Sequence, residues 1–474
     1  MTQTLDSGTS AAAPPPGQKT KPLGAVIAAV GIPMFMVTLD NLVITNALPV
    51  IKTALGASLS DLQWFINAYT LSFAALLLTA SALGDRLGRR RVFLAGIAVF
   101  VVASAACALA TEPWMLIAAR AVQGLGGAAV MPLSLTLLTA AVPDRMRSAA
   151  IGIWGGIAGL GIAVGPVVGG AVVDGLNWQW IFWLNVPIGL LAMPFAARML
   201  SESRGVAKKL DLLGVALSAG GVLALVWGVI HGAEDGWTAP QVLTALIGGA
   251  ALLVAFVVWE DRTTDPMLPL RMFANRGLSL SYLVSFAFSA GVFGAIFLLA
   301  QFFQVVQGYT PLESGIRTLP WTLVPMVVAP LAGLVVDRVG PRVLIASGQV
   351  MLAISLAWMA MITTTDVAYG HYVAPFVLGG IGMGLTFAPS ATIVMASAST
   401  ADQGMASGIN STVREVGVAM GVAVLASVFA TRGAYTDPQS YVDGLVPAVW
   451  VGAALVAAAA VIAFFLPRHT HRTP

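Results

Sequence analysis

The chain has 474 residues, 58% of them apolar and only 9% charged, against roughly 25% charged in soluble domains, which excludes an ordinary water-soluble surface. A mean hydropathy of +0.88 makes lipid the solvent. One cysteine excludes a disulfide scaffold, and a net charge of +3 argues against a nucleic-acid partner. Helices crossing ~30 Å of hydrocarbon need about 20 apolar residues, whereas barrel strands would give alternating segments of about ten. The long apolar runs here predict an all-α integral membrane protein. Residues 1–23 are polar, contain Pro14-Pro15-Pro16 and read as a disordered tail. The apolar run that follows is too long for the core of a cleaved signal peptide. Spans are predicted over 24–51, 61–83, 92–110, 114–141, 148–172, 180–200, 212–231, 240–259, 277–306, 313–336, 342–363, 371–397, 405–430 and 443–467.

An even number of spans puts both termini on one side. Loops on that side hold nearly all of the 24 Lys and Arg; only Lys52, Arg317 and Arg432 fall on the other, with Arg120 and Arg414 inside spans. This bias predicts a multi-pass cell-membrane protein with cytoplasmic termini.

An internal repeat follows the second and tenth spans. Asp85-Arg86-Leu-Gly88-Arg89-Arg90 and Asp337-Arg338-Val-Gly340-Pro-Arg342 share the skeleton Asp-Arg-x-Gly-x-Arg. Gly permits a tight turn, Asp suits a helix N-terminus, and the arginines can anchor to lipid phosphates or carboxylates. The repeat divides the chain into an N-terminal six-helix bundle (24–200), a linker with two inserted helices (201–276), a C-terminal six-helix bundle (277–467) and a cytoplasmic tail (468–474). Two-fold repeated helical membrane proteins are built as secondary transporters, with the substrate site between the halves near the midplane. No Gly-x-x-x-x-Gly-Lys loop supports ATP-driven pumping. His231, His371, His469 and His471 fall at helix ends or in the tail, so no metal site and no cofactor is predicted.

Four ionisable residues sit well inside spans: Asp40, Arg120, Arg414 and Glu415. Each costs ~2.5–3.5 kcal/mol on insertion scales, which makes each a functional candidate. Asp40 lies about 24 Å along its helix, past the midplane, at a depth similar to Arg120, and the two are predicted partners. An acid alone in an apolar cavity favours its neutral form, and a nearby Arg favours the charged form. Separating the two would bind a proton and rejoining them would release it; the alternative is a static structural pair. Arg414 and Glu415 are adjacent and point about 100° apart, so they are not expected simply to neutralise each other. Glu415 reads as a second proton site, a contact for a cationic substrate, or part of a gate with Asp85 or Asp337.

Thr38, Asn41 and Thr45 form one polar stripe by their 3- and 4-residue steps. Trp64, Asn67 and Tyr69 mark the second span; Phe297, Gln301 and Gln304 the ninth; Trp321, Met326, Met383 and Phe387 later ones. Such mixed aromatic, amide and Met surfaces suit amphipathic organic molecules.

Several of these segments resemble the major facilitator superfamily, specifically its fourteen-helix drug–proton antiporter branch. Leu39-Asp40-Asn41-Leu-Val-Ile-Thr45-Asn46-Ala-Leu-Pro49 is similar to the first-helix motif of that branch, and residues 81–90 to the superfamily loop motif, with Ser81 where Gly is usual. Arg120-Ala-Val-Gln123-Gly124 is similar to the fourth-helix motif. Gly152, Gly161, Gly165-Pro166 and Gly169-Gly170 resemble the antiporter motif of the fifth helix. Trp178-Gln179-Trp180-Ile-Phe-Trp-Leu-Asn185-Val-Pro187-Ile-Gly189, with Gln179 where Arg is usual, and Asp265-Pro-Met-Leu-Pro-Leu-Arg271 also resemble this branch, whose members often carry Gln where Glu415 stands. The resemblance implies two six-helix bundles plus an inserted hairpin, and export of small hydrophobic or amphipathic compounds in exchange for protons. It also implies that the fifth helix seals against the other half. A dedicated exporter of one metabolite or antibiotic is the alternative; the glycine motif disfavours an importer. A membrane enzyme or receptor would need a nucleophile–base pair, a metal cluster or a sensing domain, and none is evident. Internal packing accounts for the glycines, so a monomer is expected.

Overall fold

The computed structural model describes residues 22–205, 210–398 and 402–467, and leaves out the side chains of residues 144, 145, 147–149, 234 and 337. The predicted tails therefore lie outside the described residues, apart from Pro22 and Leu23. Helices form wherever the apolar runs were long enough: α1 (Leu23–Leu55), α2 (Leu59–Leu87), α3 (Arg89–Ala108), α4 (Pro113–Ala141) and α5 (Asp144–Gly175). The sixth span is broken into α6 (Trp180–Trp183) and α7 (Asn185–Met199). The inserted hairpin is α8 (Leu212–Asp235) and α9 (Pro240–Arg262), followed by a short 3-10 turn, Leu270–Ala274. Then come α10 (Arg276–Val305), the divided tenth span α11 (Pro311–Arg317) and α12 (Leu319–Val339), α13 (Pro341–Ile362), α14 (Gly370–Ser397), α15 (Gln403–Ala430) and α16 (Pro438–Ala463). Fourteen spans result, and no strand occurs among the described residues.

The ends of these helices follow from their sequence. Ser58 and Asp61 cap α2 reciprocally, and Thr310 and Glu313 do the same for α11, each pair satisfying two orphan N–H groups. Pro stands in the first turn of α4, α9, α11, α13 and α16, where its missing donor costs nothing. The turns of the repeated motif pass through Gly88 (φ 115°) and Gly340 (φ 89°), which only glycine adopts without strain. Asp85 does not cap a helix. It lies in the last turn of α2 and pairs with Arg89 Nε at 2.7 Å. Arg86 and Arg338 are exposed, and Arg342 is partly buried.

Packing repeats along with sequence. In the first half α3 and α2 both pack on α4, α1 packs on α5, and α7 packs on α1 and α3. In the second half α13 and α12 pack on α14, α10 on α15, and α16 on α10 and α13. Each contact in one half thus has its counterpart in the other. The halves meet along two seams, α2 against α15 and α5 against α11 and α12. Helix α8 lies over the first seam, touching both α2 and α15, and Ser427 Oγ of α15 donates to the Val229 carbonyl at 2.7 Å. Helix α9 packs chiefly on α8.

Candidate functional site

The ion pair inside the first half is the most buried among the described residues. Asp40 sits close to the middle of α1, which runs on to Leu55. Arg120 of α4 has no solvent exposure, and its Nη1 lies 2.5 Å from Asp40 Oδ2. The other carboxylate oxygen accepts from Gln123 Nε2 (2.9 Å) and Asn185 Nδ2 (2.7 Å). Gln123 also donates to Ser104 Oγ at 2.8 Å, and its Oε1 accepts from Arg120 Nη1 at 2.7 Å. Arg120 Nε donates to the Phe65 carbonyl at 3.0 Å, and the guanidinium lies 4.3 Å from the Tyr69 ring centre, an attraction strengthened by desolvation. Five helices, α1, α2, α3, α4 and α7, thus hold one charge pair. Ser104 escaped sequence reading because uncharged polar residues are common in spans, and Asn185 stood there only as part of a family motif, with no role at the ion pair. Gln123, which the sequence places in the fourth-helix motif, is a direct partner of Asp40, and Tyr69, expected at the cavity, belongs to this cage.

A separate cavity of about 100 Å³ lies between the halves. The first half contributes Thr38, Asn41, Leu42, Thr45, Ile66, Met131 and Ile162; the second contributes Phe293, Ile296, Phe297, Phe387, Arg414, Glu415, Val418 and Val422. The polar stripe of α1 therefore faces it, together with three aromatic rings and both charges of α15. Arg414 Nη2 and Glu415 Oε1 are 3.3 Å apart. The expectation that these neighbours do not neutralise each other is corrected, since the long guanidinium arm bridges their angular separation. Neither side chain pairs with Asp85, which Arg89 holds; Asp337 lies outside the described side chains. At about 100 Å³ the cavity is smaller than pockets that hold drug-sized ligands, roughly 300–1,000 Å³, so it must widen to admit one.

Other expected cavity residues stand elsewhere. Trp64 packs with Leu71, Val226 and Ala419 at the α2–α15–α8 contact. Asn67 is buried with both amide atoms unpartnered. Gln301 accepts from Tyr435 Oη at 2.7 Å, and Gln304 donates to the Asn46 carbonyl at 2.9 Å. Trp321 packs on Phe376 and against Gly379, Met383 is in the core and Met326 does not line the cavity.

The glycines of α5 divide their work. Gly161, Gly165 and Gly169 face Thr38, Leu42 and Val43 of α1, so they serve packing within their own half and do not seal against the other. Gly170 does meet the other half, at Pro311 and Leu312, and the Pro166 carbonyl meets Gly315 and accepts from Asn46 Nδ2 at 3.0 Å. Thr322 Oγ1 of α12 donates to the Ala163 carbonyl at 3.1 Å, and Leu312 N to Asp174 at 3.0 Å. Gly124 of α4 lies against Ser72 and Tyr69 of α2. The seam is therefore closed at the end away from the termini. Toward the termini it opens, because Gly152, Gly155, Gly156 and Gly159 meet nothing within 4 Å.

Residues 30–422 match the family model described as Major Facilitator Superfamily. The chain is 35% identical to the tetracenomycin C resistance and export protein of Streptomyces glaucescens, over 94% of this chain and 84% of that one. It is 37% identical to the cephamycin export protein of Amycolatopsis lactamdurans, over 93% and 92%. Among solved structures, a POT family transporter in complex with 5-aminolevulinic acid superposes with a TM-score of 0.67 at 14% identity, covering 93% of this chain and 94% of that one. That last likeness concerns the fold alone.

Proposed function

The chain belongs to the major facilitator superfamily, and within it we propose that it is a proton-coupled antiporter of the fourteen-helix branch, exporting small amphipathic compounds by alternating access. Both termini are cytoplasmic in this reading, so the open end of the seam faces the cytoplasm. The working unit is one chain, whose two halves enclose the cavity without a second copy. The observation that carries the reading is the Asp40–Arg120 pair, enclosed in the same half whose α1 lines the cavity. Removing one partner of such a pair costs about 3–5 kcal/mol, because a charge is left buried alone. The cycle therefore exchanges Arg120 for a proton on Asp40 when the half rearranges. Glu415, on the cavity wall beside Arg414, is a second place for a proton or a contact for substrate charge.

Two relatives are named for export of single antibiotics, which favours a dedicated exporter as the second reading; resistance of cells to a panel of compounds separates it from broad export. The test of coupling is flux of labelled compounds in proteoliposomes with and without an imposed pH gradient. Wild-type flux should rise with the gradient, and Asp40→Asn should transport at the gradient-free rate under both conditions. Flux of wild type that ignores the gradient would refute the reading.

A further inference from the structure

Away from the cavity, two acids meet at the base of the inserted hairpin. Asp211 caps α8, and its Oδ1 accepts from Gly214 N and Trp259 Nε1, both at 2.8 Å. Glu260, in the last turn of α9 and only 3% exposed, accepts from Leu268 N through Oε2 at 3.0 Å. The remaining oxygens, Asp211 Oδ2 and Glu260 Oε1, are both buried and have no partner. The two carboxyl groups lie within hydrogen-bonding reach of each other, and both crowd the same side of Gly214.

Charges nearby do not resolve this. Among the described residues neither acid forms an ion pair with Lys or Arg. Asp261 and Arg262 on α9 and Asp265 on the following strap are exposed, and Arg271 on that strap pairs with Asp402 at 3.1 Å. A metal ion fits poorly. Three N–H donors already surround the pair, and the described residues hold no group of three or more metal-ligating side chains. Two facing carboxylates cannot both ionise cheaply, whereas one proton between them gives each bare oxygen a partner.

We propose that Asp211 and Glu260 share one proton, forming a proton-binding site that latches the strap 263–275 to the hairpin. The strap is the only covalent path from α9 to α10. Its Leu268 and Met272 pack into a cluster with Leu278, Ala406, Ile409 and Leu78, joining α10, α15 and α2 at the terminal end of the seam. With the proton in place, Glu260 stays beside Asp211 and holds Leu268. When pH on the terminal side rises and the proton leaves, the two carboxylates repel and Leu268 loses its anchor. The site thus ties the hairpin to the moving seam in a pH-dependent way, independently of whether Asp40 couples transport.

Full-length protein in nanodiscs tests this with two readouts that do not depend on flux. The first is the infrared C=O band of a protonated carboxylic acid, recorded for wild type and Glu260→Gln across a pH series. A band that titrates in wild type and is missing from the variant supports a shared proton. No difference overturns it. The second is amide exchange of residues 263–275, corrected for the chemical effect of pH. Wild type should lose about tenfold protection as the proton leaves, the ratio that corresponds to one pKa unit. Glu260→Gln can donate to Asp211 and still accept from Leu268, so it should remain protected throughout. Asp211→Asn, donating from the opposite side, should give the same flat course, and Glu260→Ala should be unprotected at every pH. Wild type and both amide variants following one pH course would sink the proposal.

Discussion

Asp40 has three hydrogen-bonding neighbours around its two oxygens. Arg120 takes one, and Gln123 and Asn185 share the other. In such a cage the cost of a substitution depends on what it leaves behind. Asp40→Leu strands the Arg120 guanidinium in a site with no solvent exposure, so a loss of about 3–5 kcal/mol is expected. Asp40→Leu combined with Arg120→Met removes both charges and should recover most of that loss, since an apolar replacement of a buried pair is often neutral or better. Thermal unfolding of purified protein in detergent measures both. A double variant as unstable as the single one would mean that the pair contributes net stability and is not simply a charge that needs its partner.

The helices themselves were legible because hydropathy over about 20 residues needs no knowledge of neighbours. Their breaks were less so. The sixth span divides between Trp183 and Asn185, and the tenth between Arg317 and Leu319, while each reads as one apolar run. Periodicity showed that Thr38, Asn41 and Thr45 share a face, and that face does line the cavity. It could not say which neighbour a face meets. Trp64, Gln301 and Trp321 therefore looked like cavity residues but pack at helix contacts, and two α5 glycines expected at the seam, Gly165 and Gly169, lie against α1. The close approach that does cross the seam is carried by Gly170 and by Gly315 of α11, whose added Cβ would meet the Pro166 carbonyl. Gly315→Val should overpack this contact by about 1–3 kcal/mol. Because the strain exists only where the seam is shut at the end away from the termini, the variant should favour the alternate conformation. Accessibility of a cysteine placed at Ala163 to a membrane-impermeant thiol reagent added from the side away from the termini checks this. Labelling should exceed that of the same cysteine in the wild-type background, and equal labelling would mean that α11 gives way without cost to the closed state.

At the scale of the whole molecule, the repeated packing makes the two halves bodies of the same internal design joined along two unlike seams. The α2–α15 seam carries the hairpin helix α8 along its flank, while the α5–α12 seam is tight only at the end away from the termini. A body covered on one seam and parted at one end of the other has a natural motion, a tilt that closes Gly152–Gly159 and opens Ala163–Thr322. Two-state gating of this kind requires that the contact away from the termini actually break during each cycle. A short thiol cross-linker between cysteines at Ala163 and Thr322, whose backbone and side chain are already joined by a 3.1 Å hydrogen bond, should form readily in the state described here. The only native cysteine, Cys107, is buried and should not interfere. Cross-linked protein should still bind a transported compound from the terminal side but carry none across, and cleaving the linker by reduction should restore flux. Flux that continues through the cross-linked protein would show that the α5–α12 seam stays shut during transport, and the tilt would have to be abandoned in favour of a path that never parts α5 from α12.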